Sequence, residues 1–147
     1  MIKGIKAIKL PKVFLDTNVL YPAILYSGSV CSRALNRVFA LSVLPITSDY
    51  VLGELRRIFK EKCPGDIWRL DLFLGITKHK LLVVETPEDT VPEENMVRDE
   101  NDRPIARIAF TEDVDVILSF DKDLKEAGFV HPLVLDALEF MEWNPKS

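Results

Sequence analysis

Five short apolar runs, each parted from the next by residues with helical periodicity, constrain this sequence more than any other feature. They are Val13–Asp16, Val43–Thr47, Leu81–Val84, Val114–Phe120 and Val130–Leu135. Runs of this length and composition read as strands. Between them lie helical patterns. Asn18–Tyr26 is a short one, ending at Ser27-Gly28-Ser29. Ser29 is placed to cap a second, with Val30, Ala34, Leu35, Val38 and Phe39 on one stripe. Ser48 is placed to cap a third, with Val51, Leu52, Leu55, Ile58 and Phe59 on a 3.6-residue period. Asp66 can start a fourth through Ile67, Leu70, Phe73 and Leu74. A fifth follows Asp102, with Pro104 in its first turn. Lys122–Ala127 is a turn or two closed by Gly128, and Asp136 caps a last helix through Met141.

Strands alternating with helices imply a parallel sheet covered on both faces and joined by right-handed crossovers. The expectation is an α/β fold, three-layer α/β/α, in one domain over residues 13–147. Pro45 places the second strand at or next to an edge. Leu81–Val84 reads as a strand buried on both faces. Residues 1–12, with Lys3, Lys6, Lys9 and Lys12, read as a basic leader. Glu85–Asn101 reads as a solvated polar loop.

With 147 residues, 48% of them hydrophobic and 29% charged, the chain is long and apolar enough to bury a core. No apolar run reaches the ~18 residues that a membrane span needs, and no secretory signal pattern follows the N-terminal lysines. A net charge of −4 argues against passive coating of nucleic acid. Cys31 and Cys63 form no metal-type pair and read as free thiols, as in a reducing cytoplasm.

The first run ends directly on an acid, Asp16, and the fourth runs into Asp121. Parallel strands deliver both to the same rim, where α/β sheets bind ligands. Asp102 starts the helix before the fourth strand. Glu54 sits at the margin of the apolar stripe on the third helix. Four acids on one rim repel one another unless protonated or neutralised by cations. Mg²⁺ or Mn²⁺ suits a few carboxylates plus waters.

Leu15-Asp16-Thr17-Asn18-Val19-Leu20 resembles the opening motif of the PIN domain. Ser48–Leu55 resembles its second acidic position at Glu54. Asp99-Glu100-Asn101-Asp102-Arg103-Pro104-Ile105-Ala106 resembles the third. Val116–Leu124 resembles the fourth, with Ser119 two residues before Asp121. The resemblance runs from about Val13 to Met141. It implies a Mg²⁺- or Mn²⁺-dependent endoribonuclease that hydrolyses RNA phosphodiesters with a metal-activated water, in the setting of a toxin–antitoxin toxin. Asp16, Glu54, Asp102 and Asp121 would bind the metal. Thr17, Asn18 and Ser119 would orient them through hydrogen bonds. An RNA substrate, an antitoxin protein and a homodimer are the partners it implies, with no membrane.

Bland readings stand beside these. Asp99 and Asp123 read as solvated, although either could share the roles given to Asp102 and Asp121. Asp102 can cap its helix as well as ligate. His79 and His131 lack metal-site spacing. Trp68 and Trp143 read as packing residues. Arg33, Arg37, Arg56 and Arg57 could track phosphates, but a solvated helix face is the commoner explanation for each. Two rival functions remain. One is a PIN-like binding module that cleaves nothing. The other is a phosphotransferase or phosphatase with Asp16 as nucleophile.

Overall fold

The computed structural model describes residues 9–145. Lys3 and Lys6 of the expected leader lie outside them. Five parallel strands form one sheet: β1 (Lys12–Leu15), β2 (Leu44–Ser48), β3 (Leu82–Val84), β4 (Val116–Leu118) and β5 (Leu133–Leu135). Their order is β3-β2-β1-β4-β5. The seven helices are α1 (Thr17–Leu25), α2 (Val30–Ala40), α3 (Asp49–Lys62), α4 (Ile67–Thr77), α5 (Arg103–Thr111), α6 (Lys122–Glu126) and α7 (Ala137–Glu142). Helix α1 packs on α2, α3 and α4, and α7 packs on α2. Right-handed crossovers place this group on one face and α5 and α6 on the other, which is the expected three-layer arrangement.

The sheet centre supplies the core. Val13, Phe14 and Leu15 of β1 and Val116, Ile117 and Leu118 of β4 are fully buried. They lie in register, Phe14 beside Ile46 and Ile117, and Leu15 beside Leu118. From α3, Val51, Leu55 and Phe59 close the layer above them. Ser29 and Ser48 cap α2 and α3 as expected, accepting from the N–H groups of Ser32 and Val51.

Several local expectations are corrected. Lys12 begins β1 rather than ending a leader; its N–H donates to Asp115 Oδ2 and its Nζ to the Glu112 carbonyl, both at 2.8 Å. Strand β3 is not buried on both faces. It is one of the two edge strands, paired with β2, and Leu82 and Val83 are exposed. Strand β2 is next to that edge, which is how it tolerates Pro45. Leu44 donates toward β1, to the Pro11 carbonyl, so the N of Pro45 faces the other side. There β3 begins only opposite Ile46. Strand β5 is shorter than expected, and Val130 before it is 95% exposed. Asp66 stands at the start of α4 as expected, in its N-cap position after a 3₁₀ turn, but its side chain makes no capping bond and instead accepts from Arg69 Nε at 3.1 Å. Of the core or interface packing expected for Trp68, the core half is ruled out: it is exposed, with the Arg69 guanidinium 4.7 Å from its ring. Trp143 is half-buried and stacks on Phe140.

The polar stretch before α5 is also more ordered than a solvated loop. It makes 3₁₀ turns at Pro92–Met96 and Glu100–Asp102. Val97 is fully buried and Glu94 is 4% exposed. Glu94 receives both Nε and Nη2 of Arg107 at 2.9 Å, while Arg107 Nη1 donates to the Pro87 carbonyl. This bidentate pair pins the loop onto α5.

Candidate metal centre

The chain winds β1-β2-β3 in one direction and β4-β5 in the other, so the sheet order reverses between β1 and β4. Ligand crevices form outside the strand ends at such a point. Asp16 leaves β1 there, and Ser119 and Asp121 leave β4. Asp16, Glu54, Asp102 and Asp121 all line one cleft of about 380 Å³. Four separate stretches of chain supply them: Asp16 after β1, Glu54 within α3, Asp102 before α5 and Asp121 before α6.

Ser119 ties two of these stretches together. It is fully buried, and its hydroxyl donates to Asp16 Oδ2 at 2.6 Å. The same oxygen accepts the Asp121 N–H at 2.9 Å and Asn18 Nδ2 at 3.2 Å. Asn18 Oδ1 in turn accepts the Phe120 N–H at 3.0 Å. The other oxygen of Asp16 accepts the Thr17 N–H at 2.8 Å and caps α1. Asp121 Oδ1 caps α6 through the N–H groups of Asp123 and Leu124. Each of these carboxylates therefore has one orientation set by backbone donors. Asp102 occupies the N-cap position of α5 but its side chain makes no capping bond. The expected side-chain cap is therefore not made, and the carboxylate lines the cleft.

The electrostatics are those of crowded, partly buried acids. Burial drives the Asp16 pKa up to about 6, against the lowering effect of Ser119 and Thr17, and the charges of Glu54 and Asp121 add to the rise. Burial and the adjacent Asp121, with Asp99 and Asp16 behind it, push Asp102 up to about 8. Thr17 Oγ1 is buried with no hydrogen-bond partner among the described residues, and Thr17 lines the cleft. A buried hydroxyl without a partner is costly. The four carboxylates that line the cleft fit a hydrated hard cation.

The structure adds two acids to the neighbourhood. Asp99, Asp102 and Asp123 each bring a carboxylate oxygen within 4.8 Å of the other two. Asp99 and Asp123, read as solvated from sequence, thus stand beside Asp102. Asp123 is also paired with Arg98 at 2.6 Å, and Asp99 caps the Asn101 N–H. His79 and His131 line neither the cleft nor this trio. Sequence reading missed Tyr21, Ile58 and Lys62 on the cleft wall. The signal for two of them was present. Ile58 and Lys62 follow Glu54 at helical spacings of four and eight residues, so one helix face carries all three.

The sequence matches the PIN domain family over residues 12–123, and the chain belongs to that family. Among curated proteins none matches it significantly. Among solved structures the fold is similar to VapC20 of Mycobacterium tuberculosis, described as a sarcin-ricin loop cleaving toxin. That similarity has 22% identity and a TM-score of 0.58, covering 80% of this chain and 96% of that one. VapBC2 of Rickettsia felis, bound to a promoter DNA fragment, gives 18% and 0.65 over 85% and 98%. DNA-bound VapBC of Salmonella typhimurium gives 19% and 0.59 over 87% and 99%.

Proposed function

We propose that this chain is a divalent-cation-dependent endoribonuclease, the toxin of a toxin–antitoxin pair, working in the cytoplasm. The observation that carries the reading is the meeting of Asp16, Glu54, Asp102 and Asp121 in one cleft. PIN-family membership supports hydrolysis of nucleic acid, and the VapC-like fold supports the toxin setting. The DNA-bound VapBC assemblies support an antitoxin as partner. We extend the reading to a homodimer and to residues 13–147 as one functional domain.

In this reading the four acids hold Mg²⁺ or Mn²⁺, and Ser119, Asn18 and the Thr17 N–H fix their directions. When bound, the cation supplies Lewis-acid activation of water and neutralises charge developing on the phosphoryl oxygens. The chain supplies the rest: it positions the carboxylates, shields Asp16 from bulk water, and holds the proton inventory of the site through Asp16 and Asp102. Asp16 as a nucleophile is disfavoured, because it is 6% exposed and both its oxygens accept hydrogen bonds.

Asp16→Asn is expected to abolish Mn²⁺-dependent RNA cleavage and leave the circular dichroism spectrum unchanged. Full activity in that variant would sink the assignment. Calorimetric titration of the wild-type chain with Mn²⁺ separates the enzyme from a binding module, which has no need to take up the ion.

A further inference from the structure

We infer that the RNA backbone crosses helix α3, with Lys62 and Arg57 holding phosphates on either side of the cleaved one. The inference rests on the nuclease reading above and goes beyond it in naming the strand path. Three observations carry it.

The first is the surface itself. Glu54 lines two adjoining concavities. One is the acidic cleft, whose lining includes a single cation, Lys62. The other, of about 580 Å³, has Asp49, Tyr50, Arg57 and Asn101 in its wall; Asp49 Oδ1 is taken up by the Tyr50 and Thr86 N–H groups and the Thr86 hydroxyl, and Arg57 is again the single cation. Gly53 also lines that second concavity, with nothing within 4 Å of where a Cβ would stand. A chain lying there meets a trough and not a ridge.

The second is helical geometry. At roughly 100° per residue, Arg57 lies about 60° to one side of Glu54 around the axis and Lys62 about 80° to the other. The two cations therefore bracket the acid along the arc that joins the concavities.

The third is the state of the cations. Lys62 makes no ion pair among the described residues, although four carboxylates line the same cleft. Among the described residues Arg57 has one ion pair, the exposed i,i+4 contact with Glu61 at 3.2 Å, a class of pair worth a few tenths of a kcal/mol. Both can turn to a phosphate at little cost. A cleft this acidic repels a polyanion unless cations flank the reacting phosphate, and a chain with a net charge of −4 supplies no general attraction. Tyr50 adds a half-buried ring to the Arg57 side, a surface on which a base can stack.

The test is steady-state cleavage of a labelled RNA hairpin, chosen from total RNA because the wild-type chain cuts it in Mn²⁺. Lys62→Met and Arg57→Met are each expected to raise KM several-fold with a smaller change in kcat. Each should flatten the slope of log(kcat/KM) against log[salt] by about 0.7, the effect of one lost contact to a single-stranded phosphate. Lys62→Arg should restore the slope. Lys60→Met, outside both concavities, should match wild type. Thermal melts confirm that the exposed substitutions fold. Wild-type KM and salt slope in both Met variants of an actively cleaving enzyme would overturn the path and spare the nuclease reading. A wild-type chain that cuts no RNA in Mn²⁺ would overturn both.

Discussion

Ser119 shows how much one small side chain can organise. Its oxygen donates to Asp16 and accepts from Asp121 N–H and Asn18 Nδ2, so it clamps the ends of β1 and β4 together at the switch point. Ser119→Ala leaves the buried Asp16 one donor short. The expected cost is about 1–3 kcal/mol of stability and a 10–100-fold loss of activity or metal affinity, read by urea unfolding and Mn²⁺ titration. Because that hydroxyl lowers the Asp16 pKa, the variant should also titrate Asp16 higher, visible by carbon-13 NMR of the carboxyl. The pH dependence of the cation-free protein follows from the same acids. Asp16 at about 6 and Asp102 at about 8 both lie above their ordinary 3.8. A raised folded pKa means that the native state holds protons the unfolded chain has released. Their stabilising contribution is complete below about pH 4 and is lost as pH rises through 6 and then 8. In EDTA the melting temperature should therefore fall from about pH 4 to pH 8, more steeply below pH 6 where both acids contribute, and saturating Mn²⁺ should offset the fall above pH 6. A flat EDTA profile across this window would contradict the buried-acid picture.

At the level of elements, the segment between β3 and α5 decides where Asp99 and Asp102 stand. Its anchor is the buried Glu94–Arg107 pair, which holds Glu94 below its usual pKa. Removing one partner strands the other charge. Arg107→Met should cost about 3–5 kcal/mol and should also lower activity, since Asp102 begins the helix that carries Arg107. A double-mutant cycle with Glu94→Gln, followed by denaturant melts, measures the coupling. Helix α3 shows a second kind of organisation. Its inner face, with Val51, Leu55 and Phe59 fully buried, fixes its rotation against the sheet. That rotation is what turns Glu54, Ile58 and Lys62 to the cleft and leaves Arg57 on the neighbouring trough. Packing and site therefore share one helix, with the apolar stripe setting the aim of the functional one.

For the whole molecule, the cation is expected to act as a staple between stretches of chain that are distant in sequence. Binding to the native state alone stabilises by about 2.7 kcal/mol at one hundred times Kd. For a domain of this size that is a rise of roughly 5–11 °C in melting temperature. Differential scanning calorimetry with and without Mn²⁺ checks it, and Asp16→Asn should lose most of the rise. Among the described residues no helix is long and apolar enough to cross a membrane, in keeping with the absence of long apolar runs.

Much of this architecture was legible along the chain, and the reason is local. Alternating apolar runs and amphipathic stretches, with Ser29, Ser48 and Asp136 as caps and Gly128 at positive φ, state a parallel α/β fold without reference to distant contacts. Asp16 and Asp121 could be placed on one rim because a strand in a parallel sheet has only one carboxyl end. Sequence could not say that Asp99 and Asp123 approach Asp102, that Asp102 is free of capping duty, or that Glu94 is buried with Arg107. Nor could it say that Lys62 shares a wall with the acids. Those facts depend on the strand order, on how the loop before α5 folds back, and on the rotation of α3. All three are set by contacts between residues far apart in the chain. The sequence determined which acids could meet; the tertiary structure decided how closely, and which cations stand beside them.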